Sequence, residues 1–165
     1  MFKDCDNILE VDFSIRYLNV KVLNFENMFS NCNSLSSVNI FDIDLETGDQ
    51  NISLNYMFSN CRALASINIF NIQIKPNTGK GYLYMNNMFS NCTSLSTINI
   101  SNIQVNTINN GYLYMNNMFS GGLSLSTANF SNIYEIANKK GYIYMNNTFK
   151  DCTSLSIMKF FYFVI

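Results

Sequence analysis

The chain has 165 residues, 48% of them hydrophobic, with a net charge of −1 and a charged fraction of only 13%. This length suffices for one domain with a core, and the near-neutral charge argues against nucleic acid as a partner. Apolar runs fall far short of the ~20 residues of a membrane span, so no span is expected in this chain. The first residues resemble the middle of a repeat rather than a signal peptide, which predicts a fragment of a longer repeat protein.

A repeat dominates the chain: GYLYMNNMFS occurs at 81–90 and again at 111–120, with a close copy at 141–150. A phenylalanine recurs every 27 to 31 residues, at Phe2, Phe29, Phe58, Phe89, Phe119 and Phe149. Such units must stack to bury their apolar faces. We therefore expect residues 1–165 to form a single solenoid domain of five to six coils of about 30 residues, with coils starting near residues 1, 28, 57, 88, 118 and 148.

Each coil divides into the same predicted elements. The Met-Phe-Ser-Asn-Cys segment predicts a short helical turn, with its Phe and Cys in the core. The following Leu-x-x-Ile-x-Ile spacing predicts a short strand. The variable segments at 73–80 and 104–110 hold turn-forming residues and predict loops. GYLYMNN then predicts a second strand, which starts at the glycine and turns Leu83 and Met85 inward.

The tyrosines of the second strand are one candidate binding surface. Since Leu83 and Met85 face inward, alternation places Tyr82 and Tyr84 on the outer side. Stacked coils would align these tyrosines in two columns with about 4.8 Å per step. The columns are Tyr82, Tyr112 and Tyr142, and Tyr84, Tyr114 and Tyr144. The rings either recognise a partner or simply cover the sheet by stacking on each other.

The outward positions of the first strand are a second candidate surface. They are small, neutral and hydrogen-bonding: Ser37, Asn39, Ser66, Asn68, Thr97, Asn99, Thr127 and Asn129. Such groups suit a polypeptide or glycan partner and offer little to an anionic ligand. They are equally what a soluble strand with few charges requires.

The sequence predicts no catalytic, cofactor or metal site, and the protein is not expected to be an enzyme. It contains no histidine, so a Ser or Cys nucleophile lacks its usual base. A cysteine follows the phenylalanine by three residues in five coils, at Cys5, Cys32, Cys61, Cys92 and Cys152, never as Cys-x-x-Cys. Parallel side chains in a stack have the wrong orientation for a disulfide, which favours a reduced, buried column.

The segment from Met85 to Ile103 reads M-x-x-M-F-S-N-C-x-S-L-x-x-I-x-I-S-N-I. It resembles the BspA-like leucine-rich repeats of surface proteins, in the Met-Phe…Cys…Ser-Leu subtype. The resemblance implies a leucine-rich-repeat-like right-handed solenoid, mainly β with short helical turns. It also implies a concave binding face on the first strand, and adhesion at the cell surface or after secretion. The repeat is longer than that subtype, and Asn102 lies one position early, so the asparagine-ladder geometry of ordinary leucine-rich repeats is not assumed.

Two other functions remain open. The C-terminal coil reads MKFFYFVI where another coil has INISNIQV, which places Phe161 and Tyr162 at polar positions. The chain could therefore be a structural spacer or a self-assembling segment that joins copies end to end through its C-terminal edge. An ice-binding surface would require regular threonine rows, and only Thr97 and Thr127 align.

Overall fold

Strands form at both places in each coil where apolar and polar residues alternate, as a period of two predicts. In the computed structural model they wind into a β-solenoid of about 4 turns with about 30 residues per turn. The structure describes residues 1–15, 23–47, 51–76, 82–107, 112–137 and 142–164. Gly81, Gly111 and Gly141, predicted to open the second strand, lie outside these residues.

Each full coil contributes one long strand and one short strand, and each kind forms its own parallel sheet. The long-strand sheet has the order β1 (Glu10–Phe13), β3 (Ser37–Thr47), β5 (Ser66–Pro76), β7 (Thr97–Thr107), β9 (Thr127–Ala137) and β11 (Ile157–Val164). The short-strand sheet consists of β2 (Leu23–Asn24), β4 (Asn51–Ser53), β6 (Tyr82–Tyr84), β8 (Tyr112–Tyr114) and β10 (Tyr142–Tyr144).

The register pairs each residue with its counterpart in the next coil. Val38 pairs with Ile67, Ile67 with Ile98, and Ile98 with Ala128. Like side chains therefore form columns along the solenoid, and the inward columns of the central coils are buried. This is the arrangement that the repeat predicts.

A left-handed residue bends each full-length long strand and changes which positions face the core. Asp42, Asn71, Asn102 and Asn132 have φ values between 51° and 57°, a conformation that Asn and Asp tolerate better than other L-residues. Before this bend Ile67 and Ile69 are buried, and after it Ile72 and Ile74 are buried. Uninterrupted alternation would have pointed Ile72 outward.

The loop prediction for 73–80 and 104–110 is wrong for the first residues of both segments. Strand β5 continues to Pro76 and β7 to Thr107, because the bend returns an apolar position to the core. Ile74, for example, is buried. The remaining residues of both segments lie outside the described ranges.

The predicted helical turns are not confirmed, since the described residues contain no helix. The Met-Phe-Ser-Asn-Cys region instead forms consecutive hydrogen-bonded turns. The Met28 N–H donates to the Phe25 carbonyl at 3.2 Å, and Asn27 between them has a φ of 56°. A positive φ at the third residue is what a type II turn requires. The asparagines that allow these turns also prevent a continuous helix.

The six phenylalanines form one stacked column through the core. Adjacent ring centroids, from Phe2 to Phe149, are 5.3, 5.3, 5.4, 5.7 and 5.7 Å apart, and the rings are nearly parallel. The four central rings are buried. Aromatic pairs of this kind contribute about 0.5–1.5 kcal/mol each beyond their burial. The prediction that these phenylalanines face the core is confirmed for the four central rings, whereas Phe2 at the end of the column is 36% exposed.

The cysteines are free, as predicted, and each of the inner three is buried. Their thiols donate to carbonyls of the preceding coil: the Sγ of Cys61 lies 3.2 Å from the Phe29 oxygen, and the Sγ of Cys92 lies 3.2 Å from the Phe58 oxygen. Burial raises the pKa of Cys61 to about 12 and raises the pKa of Cys92 well above its ordinary value. These thiols therefore connect coils and remain protonated.

The raised thiol pKa values predict a loss of stability in alkali. The folded state keeps these thiols protonated while the unfolded chain ionises them near pH 9, so their contribution to the free energy of unfolding is constant below pH 9 and falls as the pH rises towards 12. The slope is up to about 1.4 kcal/mol per pH unit for each buried thiol. Urea unfolding at pH 8 and pH 10.5 measures it. The double variant Cys61→Ser, Cys92→Ser keeps the hydrogen-bond donors, and we expect it to show a shallower decline; an equal decline would contradict the assignment.

Gly121 interrupts one column of left-handed asparagines. We expect the replacement of Gly121 by asparagine to raise the free energy of unfolding. Gly121 has a φ of 77°, and the Asn91 carboxamide occupies the place of its missing side chain. In Gly121→Asn the new amide can bond to Asn91 once that side chain rotates, as Asn91 itself bonds to Asn60 at 3.0 Å. We expect about 1 kcal/mol of added stability in urea unfolding. Gly121→Ala, which gains no amide, should be less stable than the parent chain.

Candidate binding faces

The first-strand face carries a ladder of asparagine side chains. The Nδ2 of each asparagine donates to the preceding coil: Asn39 to Asp12 at 2.8 Å, Asn68 to Asn39 at 2.9 Å, Asn99 to Asn68 at 3.4 Å and Asn129 to Asn99 at 2.9 Å. The hydroxyl residues of this face are also in register, in the order Ser37, Ser66, Thr97 and Thr127. The structure thus brings together all eight residues predicted for this surface.

The ladder reduces what this face can offer to a ligand. Each internal amide uses its oxygen and one N–H to connect neighbouring coils. The Oδ1 of Asn129, at the end of the row, is buried and accepts no hydrogen bond in the structure. The asparagine amides thus mainly bond neighbouring coils to each other. A partner would contact the serine and threonine hydroxyls of this face and the second N–H of each asparagine amide.

Similar ladders run at three other positions, and the sequence analysis missed all of them. Asn31, Asn60 and Asn91 join in the turns, and Asn71, Asn102 and Asn132 join at the strand bend. In the fourth ladder the Oδ1 of Asn55 accepts from the Asn86 N–H at 2.9 Å. Asn102 takes part in the ladder at the bend, because the left-handed conformation aligns it with Asn71 and Asn132. Asparagine at the same position of several successive coils was the available signal.

The six predicted tyrosines form two ring columns on the outer side of the short-strand sheet. Leu83 and Leu113 between them are buried. The centroids are 5.1 and 5.6 Å apart in the column that begins at Tyr82, and 4.9 and 4.8 Å apart in the column that begins at Tyr84. The spacing agrees with the step of one strand. The structure therefore brings all six tyrosines into one surface, which we call the tyrosine face.

Stacking determines which part of each tyrosine a ligand can reach. Rings within a column are inclined by only 3° to 13°, so neighbouring rings cover each other's faces. The ring edges remain for a ligand, as do phenol groups such as those of Tyr84 and Tyr114. Burial raises the pKa of Tyr84 and of Tyr114, with neighbouring tyrosines as further causes. Their phenols therefore stay protonated and can donate a hydrogen bond at neutral pH.

A polar cluster adjoins one end of the tyrosine face. Ser53 pairs with Tyr84 across the sheet, so a hydroxymethyl group stands where the next ring would lie. The Ser53 Oγ donates to the Glu26 carboxylate at 2.6 Å, and the Asn55 Nδ2 donates to the same oxygen at 3.2 Å. The face of Tyr84 that points towards this cluster therefore has no tyrosine over it.

Other features of the described residues offer less for ligand chemistry. A shallow depression contains Asp4, Asp6 and Arg62 among its lining residues, but the Asp4 carboxylate accepts from Asn31 at 2.7 Å and Asp6 accepts from the Asn33 N–H at 3.0 Å. Within the described ranges no group of three His, Cys, Asp or Glu residues could hold a metal ion. The same ranges contain no helix with the length and apolar character needed to cross a membrane.

No protein-family model, no curated protein and no solved structure matches the chain.

Proposed function

We propose that this solenoid is a non-enzymatic binding module that captures a protein or glycan partner through its tyrosine face. The observation that carries the proposal is the alignment of six tyrosines in two regular columns on one outer surface. Tyrosine provides amphipathic contact area with little conformational entropy to lose. The rows also gain rigidity from stacking, which lowers the cost of ordering them on binding.

The tyrosine face is favoured over the first-strand face as the main contact. The amides of Asn68 and Asn99 are already committed to the ladder along the strands. A partner would have to compete with these bonds or use the remaining N–H groups. The tyrosine rings use only their faces for the stack, so their polar tips are not needed for it. The serine and threonine hydroxyls of the first-strand face are a secondary contact in this proposal.

The non-enzymatic part of the proposal is supported by the state of the possible nucleophiles. The buried thiols donate to backbone carbonyls, and burial raises their pKa values, most strongly at Cys92. A reactive cysteine requires the opposite, a lowered pKa and access to substrate. The chain also has no histidine to act as a general base.

A BspA-like leucine-rich-repeat protein at the cell surface, or a secreted one, is the proposed setting, with adhesion as the role. This part rests on the Met-Phe…Cys…Ser-Leu pattern alone. The Phe, Cys and Leu of one copy of this pattern, Phe89, Cys92 and Leu95, are buried in the core. A right-handed, leucine-rich-repeat-like coil belongs to the same proposal.

Replacement of one tyrosine column tests the binding role. The triple variant Tyr84→Ser, Tyr114→Ser, Tyr144→Ser should lose at least tenfold in affinity on a panel of immobilised glycans and extracellular-matrix proteins. The matched variant with Phe at the same three positions keeps ring stacking and reports the part due to the phenol groups. Urea unfolding checks that each variant is folded, since the Ser variant loses stacking worth about 1–3 kcal/mol. Unchanged capture by a folded Ser variant would contradict the assignment of this face.

Self-assembly is the second candidate function, and the edges of the long-strand sheet favour it. Strands β1 and β11 are the edge strands. On β11, Met158 and Phe160 pair with the buried core residues Ala128 and Phe130, yet they are 43% and 45% exposed. An edge of this kind can recruit another strand. A second copy that stacked its β1 on β11 would extend the same columns head to tail.

A charge exchange tests this end-to-end contact. Lys159 stands at the β11 end of the asparagine ladder and Asp12 at the β1 end, so the two would meet where copies join. Lys159→Asp and Asp12→Lys should each shift the protein towards monomer in sedimentation velocity, and the double variant should restore assembly. Assembly that survives both single changes, or a parent chain that remains monomeric at all concentrations, would exclude this contact.

A further inference from the structure

The proposed function leaves the ligand class open, and the spacing of the tyrosine face narrows it. We infer that the ligand is a neutral, extended β-1,4-linked glycan that lies along the solenoid axis with one sugar per coil. This inference rests on the proposed binding role of the tyrosine face. It adds the chemistry of the ligand, its direction and its length.

The direction follows from the two columns. Both run along the stack of short strands, and they repeat every 4.8 to 5.6 Å between ring centroids. The two tyrosine rings of one coil have nearly the same separation in all three coils, with centroids 6.0, 6.0 and 6.1 Å apart. A linear ligand that follows the axis meets the same pair of tyrosines at every step. A ligand that crosses the columns meets only one pair.

The repeat distance discriminates among linear polymers. An extended β-1,4-linked hexose chain advances by nearly one coil step per sugar and turns over at each linkage. Every second sugar therefore returns in the same orientation after about two coil steps and stays in register with the tyrosines. In an extended polypeptide, side chains on one face recur at about 6.6 Å, which falls out of step with the coils within a few residues. An α-helix has a suitable pitch of about 5.4 Å. However, a helix binds by inserting apolar side chains into a groove, and here the rings cover each other's faces.

The exposed chemistry is also that of glycan recognition. A phenol can donate one hydrogen bond and accept others, which matches the hydroxyls at the edges of a sugar chain. The raised pKa values of Tyr84 and Tyr114 keep both donors protonated. The Tyr84 face that points towards Ser53 has no tyrosine over it, so a sugar can stack there as well.

The polar cluster beside Tyr84 sets the end of the site and the charge of the ligand. Glu26 is exposed and accepts hydrogen bonds from Ser53 and Asn55, which fixes its carboxylate beside Ser53, the strand partner of Tyr84. A fixed carboxylate accepts from sugar hydroxyls and repels an acidic sugar. Three coils of tyrosines and this end position together fit three or four sugars.

Isothermal titration with cello-oligosaccharides of two to six sugars tests the inference. We expect affinity to rise on the order of threefold per sugar, as one modest hydrogen-bonded contact per step implies, and to level off at three or four sugars. Malto-oligosaccharides have the same hexose in an α-linked, coiled chain, and they should bind at least tenfold more weakly. Tyr114→Phe, at the middle of its column, should weaken binding of the longer oligosaccharides severalfold. Glu26→Gln should admit acidic β-1,4-linked oligosaccharides that the parent chain rejects.

The outcomes separate the inference from the proposed function. If no cello-oligosaccharide binds, while the tyrosine face captures a protein from the panel, the glycan assignment is wrong and the binding role stands. If the folded triple Ser variant binds both classes of partner as well as the parent chain does, both are wrong. Affinity that does not depend on oligosaccharide length, or equal binding of the α-linked series, would overturn the proposed orientation along the axis.

Discussion

The in-register pairing of each coil with the next is the constraint on which this structure depends. Parallel strands place Ile67 beside Val38 and Ile98 beside Ile67, so the same packing contact recurs from coil to coil. The same register stacks phenylalanine rings, aligns thiols under carbonyls and joins amide to amide. Because the contacts are equivalent, no coil has a core of its own, and stability belongs to the interfaces between coils.

Asparagine has two roles that follow from this register. It tolerates the left-handed conformation at the strand bend and in the turns, where most other side chains are strained. Its carboxamide then lies next to an identical carboxamide, so that donor and acceptor satisfy each other along the stack. A chain with a charged fraction of only 13% thereby satisfies polar groups with amides in place of charged side chains. Tyr56, with a φ of 55°, shows that the register holds even where asparagine is replaced.

The sequence predicted the features that depend on spacing alone. The Phe and Cys columns, both strands of each coil and the alignment of the tyrosines follow from a fixed repeat and a period of two. It failed at the bend, since one left-handed residue at Asn71 reverses the alternation and extends the strand to Pro76. It failed again at the turns, where backbone dihedrals decide between helix and turn. The ladders were missed because side-chain amides pair only once the register is known in three dimensions.

Each coil of the tyrosine face contributes one pair of tyrosines, here called a rung, so the length of the binding surface is set by the number of such coils. The segments at 81–90 and 111–120 are identical, and the strands that contain their tyrosines pair residue for residue. Duplication in the gene of one whole coil of about 30 residues would insert one more pair of tyrosines, and the strand that carries them would meet strands of the same or nearly the same sequence on both sides. Loss of a unit would close the stack in the same way. Reach along a polymer can thus be adjusted by recombination in whole steps, without any change in the chemistry of a single rung.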